Sequence, residues 1–374
     1  MADWEEADSP VRDEGEIGGE EVSGVFNVTG MAIGQVFPGD SVVTSMDFHE
    51  DGELCVTSNS DRSVTLINAV EGRKRKTIHS KKYGCGVVRY THHDQTILIS
   101  SDMDGAEHDV RYLSLYDNRF LRFFKGHTDK VVSIAMSPTD DHFMTGSEDR
   151  QVKRKDLTRV RTVRLWNLSR PECLAVLKFP NGYGTPQVAY DQQGLVFAAA
   201  TFTGKANIIK LYDARNYEKG PFDTFTVEHS KVEEFLAQAG EIRPKKAKAL
   251  SLARWKSMKF SADGHSILIG TDASLVLTLH AFEGNVKQQV FTGHVNDNHS
   301  DLDACFTPNA EYVLSGSEDR GIYAWRAADG KLAKVLKGHS SSVGRVMCSP
   351  KYEVIASACT NTALWIDAGL EPGQ

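Results

Sequence analysis

The chain has no apolar run approaching the ~18 residues that a transmembrane helix requires, although 40% of its 374 residues are hydrophobic. No membrane-spanning helix is expected, and no membrane partner. Met1-Ala2-Asp3-Trp4-Glu5-Glu6 supplies neither a basic stretch nor an apolar core, so the reading is of a cytosolic or nuclear protein without a secretory leader. Cys55, Cys85, Cys173, Cys305, Cys348 and Cys359 never fall into a Cys-x-x-Cys pair; they read as scattered thiols of a reducing compartment, with no zinc site. The phosphate loop Gly-x-x-x-x-Gly-Lys-Ser/Thr, the His-Glu-x-x-His pair and the Gly-x-Ser-x-Gly elbow are all missing. Gly182-Tyr183-Gly184 leads into no helical pattern, and His92-His93 has no third ligand nearby. Neither an enzyme nor a cofactor or metal is expected.

Charge of one sign is also scarce, outside one segment. The net charge is −7, but residues 1–24 hold nine acidic side chains against Arg12 alone, a charge of −8 that leaves +1 for residues 25–374. A nearly neutral body lacks the phosphate-neutralising cations that non-specific DNA binding needs, so no direct nucleic-acid binding is expected. The acidic segment has few large apolar residues to bury and reads as a disordered tail.

What is present is repetition. Gly146-Ser147-Glu148-Asp149-Arg150 returns as Gly316-Ser317-Glu318-Asp319-Arg320, each preceded by a Gly-His pair and followed by an alternating strand that reaches Trp166 or Trp325. Short runs of Val, Ile, Leu, Phe and Thr alternate with turn residues, while helical periodicity is nearly absent. Together these features mark WD-type β-propeller blades. Units align at roughly 41–80, 81–124, 125–180, 181–228, 252–292, 293–337 and 338–366. The fold class is therefore all-β: a single seven-bladed WD-repeat propeller over residues 25–366, with 367–374 as a C-terminal tail. The strand around Ile33-Gly34-Gln35-Val36-Phe37 is left over, and an open ring would expose a sheet edge. It is expected to close the ring as the outer strand of the last blade.

Two stretches break the period. Arg320 and Trp325 are five residues apart but Arg150 and Trp166 sixteen, so eleven extra residues lie near 151–161, with Lys153, Arg154, Lys155, Arg159 and Arg161 against Asp156. This insert reads as a solvated hairpin tip, with an error in the predicted transcript and an anion site as the other readings. At 229–254, Ser230 and Glu233 resemble a capping box, Phe235 and Leu236 an apolar face and Gly240 a stop, which predicts one short surface helix.

His127, Thr145 or Ser147, Asp149 and Trp166 contain the ingredients of a catalytic relay. The set recurs as His294, Ser315, Asp319 and Trp325, and duplication argues for a hydrogen-bonded chain that locks each blade's turn to its tryptophan. Arg62, Arg150 and Arg320 fall at equivalent hairpin tips and are candidate partner-binding residues for phosphoserine. Tyr212-Asp213-Ala214-Arg215 resembles the box of cullin-ligase adaptors, which makes Arg215 a candidate anchor and a substrate receptor of a cullin-type ubiquitin ligase the alternative function.

Several linked segments resemble one particular family. Ser80-Lys81-Lys82-Tyr83-Gly84, Arg111 to Asn118, Gly194 to Ala199, Lys219-Gly220-Pro221-Phe222, and Ser357-Ala358-Cys359-Thr360-Asn361 before Trp365 are similar, in the same order, to the WD repeat-containing protein 82 family. The acidic tail, the 151–161 insert and the 229–254 connection depart from its pattern. The resemblance implies a nuclear, non-catalytic adaptor of COMPASS-type histone H3 lysine-4 methyltransferase complexes, partnered by a SET-domain methyltransferase and the other subunits. It also implies association with the phosphorylated RNA polymerase II tail and with phosphatase or 3′-end-processing factors.

Overall fold

The computed structural model describes residues 26–103, 107–149, 160–180, 183–204, 206–238, 242–283 and 286–369. The acidic segment and most of the 151–161 insert lie outside them.

Seven four-stranded antiparallel sheets succeed one another along the chain. We number them blades 1 to 7, built from residues 43–79, 88–124, 131–180, 183–228, 255–292, 304–337 and 345–367, the last joined by 31–37. Blade 6 follows the pattern read from sequence, with strands Ala304–Phe306, Tyr312–Gly316, Gly321–Arg326 and Leu332–Lys337 from the axis outward. The reason lies in burial. A second strand such as Leu54–Asn59 or Ser266–Thr271 is covered on both faces by neighbouring blades and is buried at every residue. The outer strand Arg73–His79 has one shielded side and is mostly exposed. Inner strands therefore read as continuous apolar and hydroxyl runs, and outer ones as charged alternation.

Each blade-to-blade interface has its own apolar cluster. Leu98, Phe124, Phe143 and Trp166 join blades 2 and 3, and Leu268, Phe291, Val313 and Trp325 join blades 5 and 6. Around the axis, charges bridge neighbouring inner strands. The Arg345 guanidinium of blade 7 donates to the Thr44 carbonyl of blade 1 (2.7 Å) and to the Asp301 carbonyl ahead of blade 6 (2.5 Å). Lys259 of blade 5 pairs with Asp303 at 3.1 Å, and Lys256 with Asp301 at 2.6 Å.

Closure occurs as the sequence predicts. Strand Met31–Phe37 runs antiparallel to Thr362–Asp367, from Met31 opposite Asp367 to Phe37 opposite Thr362, with a bulge between Ile33 and Gln35. Ahead of it, Phe26 and Val28 are buried among Leu336, Ile355 and Trp365 at the blade 6/7 boundary. Asn27 donates to the Asp367 carboxylate at 3.2 Å. Gly338 lies beneath the Ile33 side chain, whose end would have to shift to admit a Cβ there.

The 229–254 connection corrects the single-helix reading. Two helices form, α1 (His229–Gln238) and α2 (Pro244–Ser251). Ser230 lies inside the first turn of α1, and its hydroxyl donates to Glu228 at 3.2 Å rather than capping the helix. Val232 and Leu236 of α1, with Ala247 and Leu250 of α2, extend the blade 4/5 core. Pro244 at the first position of α2 was the available sequence signal; its three lysines hid the short apolar face. Gly240 lies outside the described residues.

The closing strand generates a prediction. Val28→Asp buries an unpaired charge at the seam and should destabilise by about 3 kcal/mol, against about 1–2 for Val28→Ala. Thermal denaturation checks the ranking, and the Asp variant should also associate in a concentration-dependent way as the blade 7 edge opens.

Candidate interaction surfaces

Thr145 sits on the second strand of blade 3, His142–Ser147, and Trp166 on the third, Val160–Asn167. The pairing of Phe143 with Trp166 across these strands brings the indole back over Thr145. Trp166 Nε1–H donates to Thr145 Oγ1 at 2.9 Å, and Thr145 lies 2.7 Å from His127 Nε2. His127 Nδ1 lies 2.7 Å from Asp149 Oδ2. A carboxylate can only accept, so Nδ1 carries the proton, Nε2 accepts from the threonine hydroxyl, and the chain runs in one direction. Asp149 also accepts from Thr162 Oγ1 (2.6 Å) and from the backbone N–H of Thr128 (2.6 Å) and Asp129 (2.9 Å). Burial pushes its carboxyl up, but the bonds from His127 and Thr162 outweigh this and hold it far below the ordinary range. Burial likewise lowers His127. Thr145, Asp149 and Trp166 are fully buried, so the relay is closed to any substrate.

The second set does not assemble in the same way. Asp319 accepts from the Tyr323 hydroxyl (2.7 Å) and the Gly321 N–H (3.0 Å), not from His294. Trp325 donates to the Thr292 carbonyl at 3.1 Å, and Ser315 to the Gly316 carbonyl at 3.1 Å. His294 packs its ring edge-on to Trp325, 5.6 Å between centroids, and its Nδ1 has no hydrogen-bond partner among the described residues. Two side chains account for the difference. Counted back from the tryptophan, Thr162 is replaced by Gly321, which removes the hydroxyl that holds the carboxylate, and Arg164 is replaced by Tyr323, whose phenol draws it outward.

A third network escaped the sequence reading. In blade 7, His339 Nε2 lies 2.6 Å from Ser357 Oγ, which accepts from Trp365 Nε1 at 2.7 Å. Cys359 Sγ, 3.2 Å from His339 Nδ1, stands where the aspartate would be. Gly338-His339 was the available signal, masked by the missing acidic residue.

The described candidate arginines sit on three different blades. Arg62 and Arg320 occupy tips of second-to-third-strand hairpins on blades 1 and 6, exposed, with φ of 67° and 73°. That left-handed backbone is a demand of the turn. Arg150 lies outside the described residues. Arg215 follows a third strand, Ala206–Asp213, and is therefore on the opposite face of the ring. Its N–H donates to Asp213 Oδ1 at 2.8 Å, while Tyr212 is buried, stacked on Phe197 at 4.9 Å. Arg215 borders a depression of about 260 Å³ with Thr139, Asp140 and Gln193. His92 bonds Glu50 (3.1 Å) and the Asp140 carbonyl (3.0 Å), linking the rims of blades 1, 2 and 3.

A cavity of about 270 Å³, unanticipated from sequence, opens on the Arg62 face between blades 3, 4 and 5. Its lining includes Gln187, Phe202, Asn207, Arg254 and Trp255. These residues are distant along the chain, and only the ring curvature brings them together.

The networks predict unequal costs. Asp149→Asn breaks a fully buried pair and should cost about 3 kcal/mol in urea denaturation, whereas Asp319→Asn at the half-open turn should cost about 1 kcal/mol or less. His294 and His339 are held at about 4 by burial, below the ordinary 6.5. Between those values the unfolded chain binds protons that the folded chain refuses, so stability should fall as pH drops from 6.5 toward 4 and level off below. The urea midpoint measured across that window checks the sign, and His294→Phe should flatten the slope.

Comparison with known proteins agrees with this architecture. The profile described as WD domain, G-beta repeat, matches residues 32–68, 118–153 and 285–326. WD repeat-containing protein 82 of Drosophila melanogaster is 36% identical over 88% of this chain and 92% of its own length. Protein ANTHESIS POMOTING FACTOR 1 of Arabidopsis thaliana is 36% identical over 90% and 91%. COMPASS component SWD2 of Saccharomyces cerevisiae is 29% identical over 84% and 88%. With 36% identity over 88% of its length, the chain belongs to the WD repeat-containing protein 82 family.

Proposed function

We propose that this protein is a non-catalytic adaptor subunit of a COMPASS-type histone H3 lysine-4 methyltransferase assembly in the nucleus, where it helps a SET-domain subunit act on transcribed chromatin. The observation that carries the reading is similarity over 84% of the chain to a protein named as a COMPASS component. The physical form supports it. A closed ring of buried strands is a rigid scaffold, and its variable turns project from two opposite faces where separate partners can be held at once. The His127-Thr145-Trp166 chain is sealed in the blade and serves stability. The phosphorylated RNA polymerase II tail and phosphatase or 3′-end-processing factors belong to the same proposal as further partners.

Affinity purification of the tagged full chain from nuclear extract tests the proposal. SET-domain and other COMPASS-type subunits should co-purify, and depletion of the protein should lower histone H3 lysine-4 methylation. Recovery of cullin-adaptor subunits without methyltransferase subunits, abolished by Arg215→Ala, would replace this reading with the ligase one.

A further inference from the structure

The cavity between blades 3, 4 and 5 is not used by any network described above. Its lining has three chemical parts. Ala200, Phe202 and Trp255 supply an apolar surface, with Ala200 and Trp255 themselves buried. Gln187 and Asn207, both buried, supply amide donors and acceptors. Arg254 stands exposed at the mouth, and its guanidinium forms no ion pair among the described residues. At about 270 Å³ the space is below the ~300–1,000 Å³ of small-molecule sites and suits one large side chain.

The surroundings of the mouth extend the argument. Helix α2 belongs to the connection that enters blade 5 at Trp255, so it lies on the same face. It carries Lys245, Lys246 and Lys248 and no acidic residue. Arg243 precedes it, exposed. The facing acids are few: Asp272 is buried and accepts the Arg254 backbone N–H at 2.7 Å, and Glu233 and Glu234 lie on α1. A body of near-neutral charge thus presents Arg254 and three exposed α2 lysines on the face where this pocket opens. A nucleic acid would require a longer cationic track than this patch offers.

We propose that this cavity and the basic side of α2 form a docking site for an acidic peptide segment of a partner protein, with one apolar anchor residue in the cavity and flanking carboxylates on Arg254 and the α2 lysines. Amide side chains on the walls pair with the peptide backbone, and Trp255 with Phe202 gives the anchor its contact area. The inference rests on the adaptor reading only in making the occupant a protein.

Fluorescence polarisation of the full chain with a labelled short peptide of Glu and Ser around one central Phe tests it. Saturable binding is expected, weakening with added salt. Arg254→Glu, and separately Lys245→Glu with Lys246→Glu, should each weaken it by roughly tenfold or more, as should replacing the peptide's Phe by Gly. Lys74→Glu on the exposed outer strand of blade 1, remote from the cavity, should leave it unchanged. No saturable binding, equal binding by Arg254→Glu, or tighter binding of a phosphoserine peptide lacking the anchor would overturn the inference. Co-purification of methyltransferase subunits with no peptide binding would overturn this inference alone, and peptide binding without co-purification would overturn the adaptor reading alone.

Discussion

Every blade of this protein buries both faces of its inner strands, and that single constraint organises the rest. A four-stranded sheet with two apolar faces cannot stand in water by itself; it needs a neighbour on each side. The only arrangement without an uncovered face is a closed ring. Blade 7 receives only three strands from the C-terminal segment, and the fourth, Met31–Phe37, comes from the other end of the chain. Ring stability therefore depends on a non-covalent seam, reinforced by Phe26, Val28 and the Asn27–Asp367 hydrogen bond.

Polar groups make up the remainder of the design at the places where apolar packing cannot reach. Near the axis, inner strands crowd together and bring charged side chains within bonding range across blade boundaries, so Arg345 can serve two neighbours at once. Near the rim, the tryptophan of a third strand needs a partner for its indole N–H. Blades 3 and 7 supply a hydroxyl held by histidine, and blade 6 a backbone carbonyl. The same recurring residue types therefore give different circuits according to the two or three side chains around them.

This division suits a WD-repeat scaffold. Burial confines the histidine and aspartate chemistry to the blade interior, while turns and the α1–α2 connection carry the side chains that reach solvent. The two faces differ in character. One carries Arg62, Arg320, the basic α2 and an aromatic cavity; the other carries Arg215 beside a polar depression. A scaffold with unlike faces can join unlike partners without moving.

Sequence alone determined the blade number, the strand order within a blade and the origin of the closing strand. These follow from local alternation, turn residues and the Gly-His and Trp spacings, which each unit carries within itself. It also placed His127, Thr145, Asp149 and Trp166 as neighbours, because strand pairing fixes which residues oppose one another. Tertiary structure decided whether such a set becomes a circuit: Gly321 and Tyr323 redirect Asp319 away from His294, and Cys359 lets His339 form a partial one. It decided too that 229–254 holds two helices, whose apolar faces have meaning only against blades 4 and 5. The cavity at Arg254 and Trp255 was illegible for the same reason, since ring closure, not proximity along the chain, sets blades 3, 4 and 5 side by side.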